Sequence, residues 1–184
     1  KMQIQLTMDG FMAGPNGEMD WIHMPWTDDL NTYVQEITDA MDTILLGRKL
    51  AEGFIPYWGS VAADAGNPEQ LSGRVFTETQ KIVFSRTMEN SDWPNTKIAD
   101  RELALFVNAL KQTEGKDIIA YGGATFASSL LEQNLVDELY MFINPAAIGR
   151  GMSAFDGLDS MRKFQLVESR VFACGIAVLV YKPS

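Results

Sequence analysis

Met2, Ile4, Leu6 and Met8 alternate with polar neighbours, a period of two that predicts a strand running into the turn-forming pair Asp9-Gly10. A loop rich in Gly, Pro and Asn follows, and then the period changes. Leu30, Tyr33, Val34, Ile37 and Met41 recur at helical spacing, with Thr27 or Asp28 placed to cap the first open amides. TILLG at residues 43–47 predicts a short apolar strand, and RKLAEGF after it a short helix stopped by Gly53 and Pro56. The stretch IPYWGSVAADAGNPEQLSG has no regular period and reads as a long surface excursion.

KIVFS at residues 81–85 predicts another strand, and Leu103, Phe106, Val107 and Leu110 mark one face of a helix over residues 100–111. DIIAY is a strand that breaks at Gly122-Gly123 and gives way to a helix over about residues 124–133, ended by Asn134, a residue that tolerates the left-handed conformation. LVDELYMFI predicts a further strand, and FQLVESRVFACGIAVLVYKP two long antiparallel ones. Strands alternating with helices, closed by a hairpin, imply an α/β fold. Its central sheet is mixed and mostly parallel, with helices on both faces and a C-terminal antiparallel hairpin. No repeat or linker interrupts the chain, so one domain over residues 1–184 is expected.

Composition narrows the chemistry. With 184 residues, 46% of them hydrophobic, the chain can bury one sizeable core. A formal net charge of -9 repels nucleic acid and anionic membranes, so any anionic ligand needs a local positive site. No apolar run approaches the roughly 20 residues of a membrane span, and the opening KMQIQLTMDG lacks a secretory apolar core. A cytoplasmic protein is the expectation. Cys174 and His23 are the single residues of their kinds, too few for a structural zinc site, and no G-x-S-x-G supplies a hydrolytic serine.

Two strand-to-helix turns stand out, because a helix start at the carboxyl end of a parallel strand presents free amides and positive potential to a ligand. In LLGRKL, Gly47 allows close approach, while Arg48 and Lys49 place cations where a helix favours anions by about 0.3–1 kcal/mol. A bound anion removes that conflict; side chains pointing into water are the alternative. In AYGGATF, Gly122 and Gly123 form either a tight turn or a floor for a phosphate, with the Thr125 hydroxyl beside it. Ser85 and Arg86 in VFSRT either suit a terminal phosphate on a sugar or are plain loop surface. No G-x-G-x-x-G is present, which disfavours an ordinary dinucleotide fold.

These segments carry a resemblance. MDGFMAGPNGEMDW, ILLGRKLAEGF, KIVFSRT and above all IIAYGGATFASSLLEQNLVDELYMFINPAAIGRG resemble the dihydrofolate reductase-like superfamily. Within it they are most similar to the C-terminal reductase domain of bifunctional riboflavin-biosynthesis (RibD-type) proteins. The resemblance implies a three-layer α/β/α dihydrofolate reductase-like fold, NADPH as hydride donor and a homodimer. It also implies that Gly47, Arg48 and Lys49 contact phosphates, that Ser85 and Arg86 lie near the adenosine 2′-phosphate, and that Gly122, Gly123, Ala124 and Thr125 cradle the pyrophosphate.

On the substrate side, HMPWTDDL resembles the dihydrofolate reductase segment that precedes the substrate-binding acid, which makes Asp29 the catalytic candidate. Capping of the helix start is its other reading. Asp9, Glu18 and Asp20 are rival acids, and His23 a candidate proton shuttle. Trp26, Tyr57 and Trp58 are candidates to stack on a flat heterocycle. Residues 55–80 lack the cationic segment expected for a phosphoribosyl-pyrimidine and offer only Arg74, with Lys81 nearby. The expected activity is reduction of a small heterocycle, resembling 5-amino-6-(5-phosphoribosylamino)uracil reductase. The alternatives are dihydrofolate reductase activity and a non-catalytic nucleotide-binding protein of the same fold.

Overall fold

A computed structural model describes residues 1–184. Its elements are β1 (Met2–Thr7), α1 (Asp28–Asp39), β2 (Met41–Gly47), α2 (Arg48–Ala63), α3 (Gln70–Glu78), β3 (Gln80–Phe84) and β4 (Thr96–Ile98). They continue with α4 (Leu103–Leu110), β5 (Asp117–Tyr121), α5 (Ala124–Glu132), β6 (Leu139–Asn144), β7 (Phe164–Val171) and β8 (Ala177–Pro183). The strands form one mixed sheet in the order β4-β3-β2-β5-β1-β6-β8-β7. Neighbours from β4 to β3 to β2, and from β5 through β1 to β6, run parallel, whereas β8 pairs antiparallel with both β6 and β7. The mixed sheet and terminal hairpin expected from the hydrophobic pattern are therefore present.

The chain's contacts cluster into two compact units, one of residues 1–34 and 120–184, the other of residues 35–119. In the first, Met2, Ile4 and Leu6 of β1 are buried, as are Gln3 and Thr7 on the other face, which a strand covered on both sides requires. Leu139 and Phe142 of β6, Val178 and Val180 of β8, and Ala127, Leu130 and Leu131 of α5 complete that core. Asn134 ends α5 with φ 54°, the left-handed conformation read from the sequence.

The second unit departs furthest from expectation. α2 does not stop at Gly53 or Pro56 but runs to Ala63, and the stretch read as a surface excursion is the end of α2, a short loop and the start of α3. A mid-helix proline costs about 3 kcal/mol and each glycine about 1 kcal/mol. Tertiary packing offsets this: Ala51, Ile55 and Val61 are buried, and Phe54 and Trp58 both meet Phe76 of α3, at ring separations of 5.4 and 4.5 Å. A Cβ on Gly73 would lie 2.6 Å from the Ala62 nitrogen, so glycine is what lets α3 lie so close to α2. Met41 belongs to β2 rather than to the helix before it, and β4 was not expected at all.

Lys81 is the residue read most differently. It is 1% exposed, and its ammonium donates to the carbonyls of Phe76, Thr77 and Thr79 at 3.0, 2.9 and 2.6 Å. It caps the end of α3 and has no reach to a substrate phosphate. Burial pushes its amine down to about 8, against the pull of the three carbonyls.

Candidate functional site

In the second unit, Gly47 is the N-cap of α2 and makes no side-chain capping bond, so the first amides of the helix are left without a side-chain acceptor. Arg48 reaches forward to Glu52 at 2.6 Å, and Lys49 is exposed. An exposed pair at this spacing contributes only about 0.3–0.5 kcal/mol, little enough for a bound anion to displace. Gly47 pairs in register with Phe84, so Ser85 and Arg86 follow directly beside the start of α2. The Ser85 hydroxyl oxygen accepts from the amides of Thr87 and Met88, which folds the loop back on itself, and Arg86 is exposed. The LLGRKL and VFSRT segments thus meet at one edge of this unit.

Tyr57 and Trp58 sit within α2, not in a loop. Trp58 is taken up by Phe54 and Phe76, and Tyr57 lies edge-on to Trp58 at 5.1 Å. Packing between α2 and α3 accounts for Trp58, while the Tyr57 ring is half exposed.

In the first unit, β1 and β6 run parallel with each other and with the Ala120–Tyr121 end of β5, and their loops emerge at their carboxyl ends. The two glycines after β5 have different jobs. A Cβ on Gly122 would stand 2.9 Å from the Ala127 Cβ, so this glycine serves packing, whereas a Cβ on Gly123 would meet nothing within 4 Å. Gly123 is the N-cap of α5 and again makes no side-chain capping bond. The Ala124 and Thr125 amides precede the first helical bonds, which run from Phe126 and Ala127 back to the Gly123 carbonyl. Ala124 is buried and Thr125 exposed. The result is an open, amide-lined helix start suited to an oxyanion.

At the ends of β1 and β6, Thr7 stands in register with Asn144, and the two following loops are tied together. Met8 donates to Ala146 O, Met12 to Met152 O, and Met152 to Ala13 O. The Asp9 carboxylate accepts from the Ile148 and Gly149 amides at 3.1 and 2.6 Å, with Gly149 at φ 74°. The Thr7 hydroxyl, followed by these amides, holds Asp9 below the usual carboxylate range. Glu18 is likewise lowered, chiefly by the Asn16 side chain.

Asp29 lies on the surface at the start of α1. Its carboxylate accepts from the Leu30 amide at 3.0 Å and from the Ala173 amide, in the turn between β7 and β8, at 2.9 Å. The Thr27 hydroxyl, then the Ala173 amide, hold its carboxyl below the ordinary 3.8. These bonds favour the ionised carboxylate and latch the start of α1 to the hairpin.

Trp26 stacks on Phe142 of β6, with ring centroids 6.3 Å apart and planes 16° apart. Its indole nitrogen and that of Trp21 are shielded from water and have no acceptor. His23 is held by its backbone: its amide donates to Asn144 Oδ1 at 3.0 Å. Asn144 is a functional candidate that the sequence did not single out, because an asparagine at a strand end is locally indistinguishable from a turn residue.

The RibD C-terminal domain family model matches residues 1–178. The chain is 34% identical to the uncharacterized protein YyaP of Bacillus subtilis (strain 168), over 98% of this chain and 92% of that one. Its structure is similar to the diaminohydroxyphosphoribosylaminopyrimidine deaminase/5-amino-6-(5-phosphoribosylamino)uracil reductase of Thermotoga maritima. There the TM-score is 0.70 and the identity 23%, with 100% of this chain and 56% of that one covered. It is also similar to dihydrofolate reductase from Enterococcus faecalis, a structure complexed with NADP(H), at a TM-score of 0.60 and 16% identity, covering 100% and 95%. At these identities the structural likeness is one of fold.

Proposed function

Because this chain belongs to the RibD C-terminal domain family, we propose that it is an NADPH-dependent reductase of a small, flat nitrogen heterocycle, related in chemistry to 5-amino-6-(5-phosphoribosylamino)uracil. The observation that carries this reading is the start of α5: an N-cap glycine with open space in place of a Cβ, and no side chain on the helix amides. Gly123 and the amides of Ala124 and Thr125 are assigned to the pyrophosphate, with Gly122 supporting them through its packing on Ala127. Arg86, with Ser85, is assigned to the 2′-phosphate, which a guanidinium suits by charge and by its fork of donors. Gly47, Arg48 and Lys49 are assigned to the remaining phosphate contacts. When bound, the cofactor supplies a hydride to the substrate.

The chain's own residues bind and orient. Trp26, backed by Phe142, supplies an aromatic wall for the heterocycle. Asp9, Glu18 and Asp29 accept hydrogen bonds that favour their ionised forms, and this reading assigns none of them as the proton donor. The second reading, a nucleotide-binding protein without turnover, rests on the engagement of the Asp9 and Asp29 carboxylates by backbone amides of the fold.

Self-association completes the proposal. β7 pairs only with β8 and exposes Leu166, Val167 and Val171, an uncovered apolar edge suited to a second copy of the chain.

The test is loss of NADPH absorbance with 5-amino-6-(5-phosphoribosylamino)uracil and, separately, with dihydrofolate. Turnover of the first supports the reading, and turnover of dihydrofolate alone moves the substrate to the pterins. NADPH binding with no turnover of either supports the nucleotide-binding protein.

A further inference from the structure

Asn144 is fully buried at the end of β6, and its amide is used completely. Nδ2 faces three acceptors, Gln5 Oε1 at 2.8 Å, Phe142 O at 3.2 Å and Leu6 O at 3.4 Å. An amide nitrogen can only donate, so this trio fixes the flip and leaves Oδ1 to accept from the His23 amide. One side chain therefore ties two neighbouring strands to the loop that carries Trp21 and Trp26.

The far end of that loop is also held by the Trp26 stack on Phe142 and by Asn31, whose side chain donates to Trp26 O at 3.4 Å, so the His23 amide is the tether between Trp21 and Trp26. Two shielded indole donors without acceptors oppose the loop's position. A buried, geometrically fixed acceptor works against them.

We propose that Asn144 is a positioning residue, which sets the Trp26 wall against the substrate through its hydrogen bond to the His23 amide. This rests on the reductase reading for its consequence in turnover, but not for its structural half. The bond aligns the loop before substrate arrives, so ordering is not left to the binding step.

The experiment compares Asn144→Ala with Gln5→Ala. The latter removes an acceptor from Nδ2 but leaves the Asn144–His23 bond and two other acceptors in place. Hydrogen–deuterium exchange by mass spectrometry is read over residues 14–27, with circular dichroism as the check of folding. Asn144→Ala is expected to speed exchange there at least tenfold, and Gln5→Ala less than twofold. Equal acceleration in both variants, or none in Asn144→Ala, overturns the proposal. With 5-amino-6-(5-phosphoribosylamino)uracil, Asn144→Ala should raise KM about tenfold, change kcat less than threefold and leave the NADPH Kd unaltered. A matching loss of NADPH affinity overturns the assignment to the substrate wall. If the unmodified protein does not turn this probe over, the reductase reading fails for that substrate, while exchange still decides the role of Asn144. If Asn144→Ala does not fold, the His23 amide of the unmodified protein decides by NMR: slow exchange supports the tether, and exchange at the rate of an open loop removes it.

Discussion

Two charged residues show how a side chain's partners change its meaning. Asp29 has its carboxyl lowered by the Thr27 hydroxyl and the Ala173 amide, so its folded form gives up a proton more readily than its unfolded form. The latch it makes contributes stability above the ordinary carboxylate pKa and loses it as pH falls through the lower, folded value. Asp29→Asn should therefore flatten the fall of stability between pH 5 and 3, read by urea denaturation, and leave turnover at pH 7 within about threefold of the parent. Loss of turnover by a hundredfold with an unchanged acid profile would make it the catalytic acid instead. Lys81 runs the other way. Its amine is lowered from 10.5 to about 8, so the folded state sheds its proton first and gains stability as pH rises through that window. The stability of the parent relative to Lys81→Met should rise between pH 8 and 10, and a constant difference would contradict the burial argument. Neither partner set was legible in the sequence. Ala173 lies 144 residues from Asp29, and the α3 carbonyls that Lys81 caps belong to a helix the local pattern hid.

At the scale of elements, the turn between β5 and α5 separates two uses of glycine. Gly122→Ala places a Cβ against Ala127 and should cost about 1–3 kcal/mol in thermal or chemical denaturation, with NADPH binding weakened only secondarily. Gly123→Ala meets no neighbour and should change stability by less than about 1 kcal/mol while weakening NADPH at least fivefold. The reverse pattern would remove the phosphate floor. This element was well marked in the sequence because a strand, two glycines and a helical period follow one another without interruption. α2 was not, since Gly53 and Pro56 break the local pattern and only contact with α3, through Phe76 and Gly73, holds the helix through them. Where local propensity and tertiary packing agreed, periodicity found the element; where they conflicted, packing decided.

For the whole molecule, the alternation of strands and helices carried the sheet, and the segments from β5 through β6 carried the family. The exposed edge at β7 bears on assembly. Light scattering should return twice the 20.5 kDa chain mass, and Val167→Lys with Val171→Lys should return a single chain; an unmodified protein that is monomeric at micromolar concentration would remove that face from the account. No helix is long and apolar enough to cross a membrane. The central claim, that these turns hold a phosphorylated dinucleotide, is tested most directly by titrating the protein and its Arg86→Ala variant with NADPH and NADH. The unmodified protein should bind NADPH at least tenfold more tightly than NADH, and Arg86→Ala should lose most of that preference while NADH affinity barely moves. Equal losses for both nucleotides, or no NADPH binding at millimolar concentration, would contradict it.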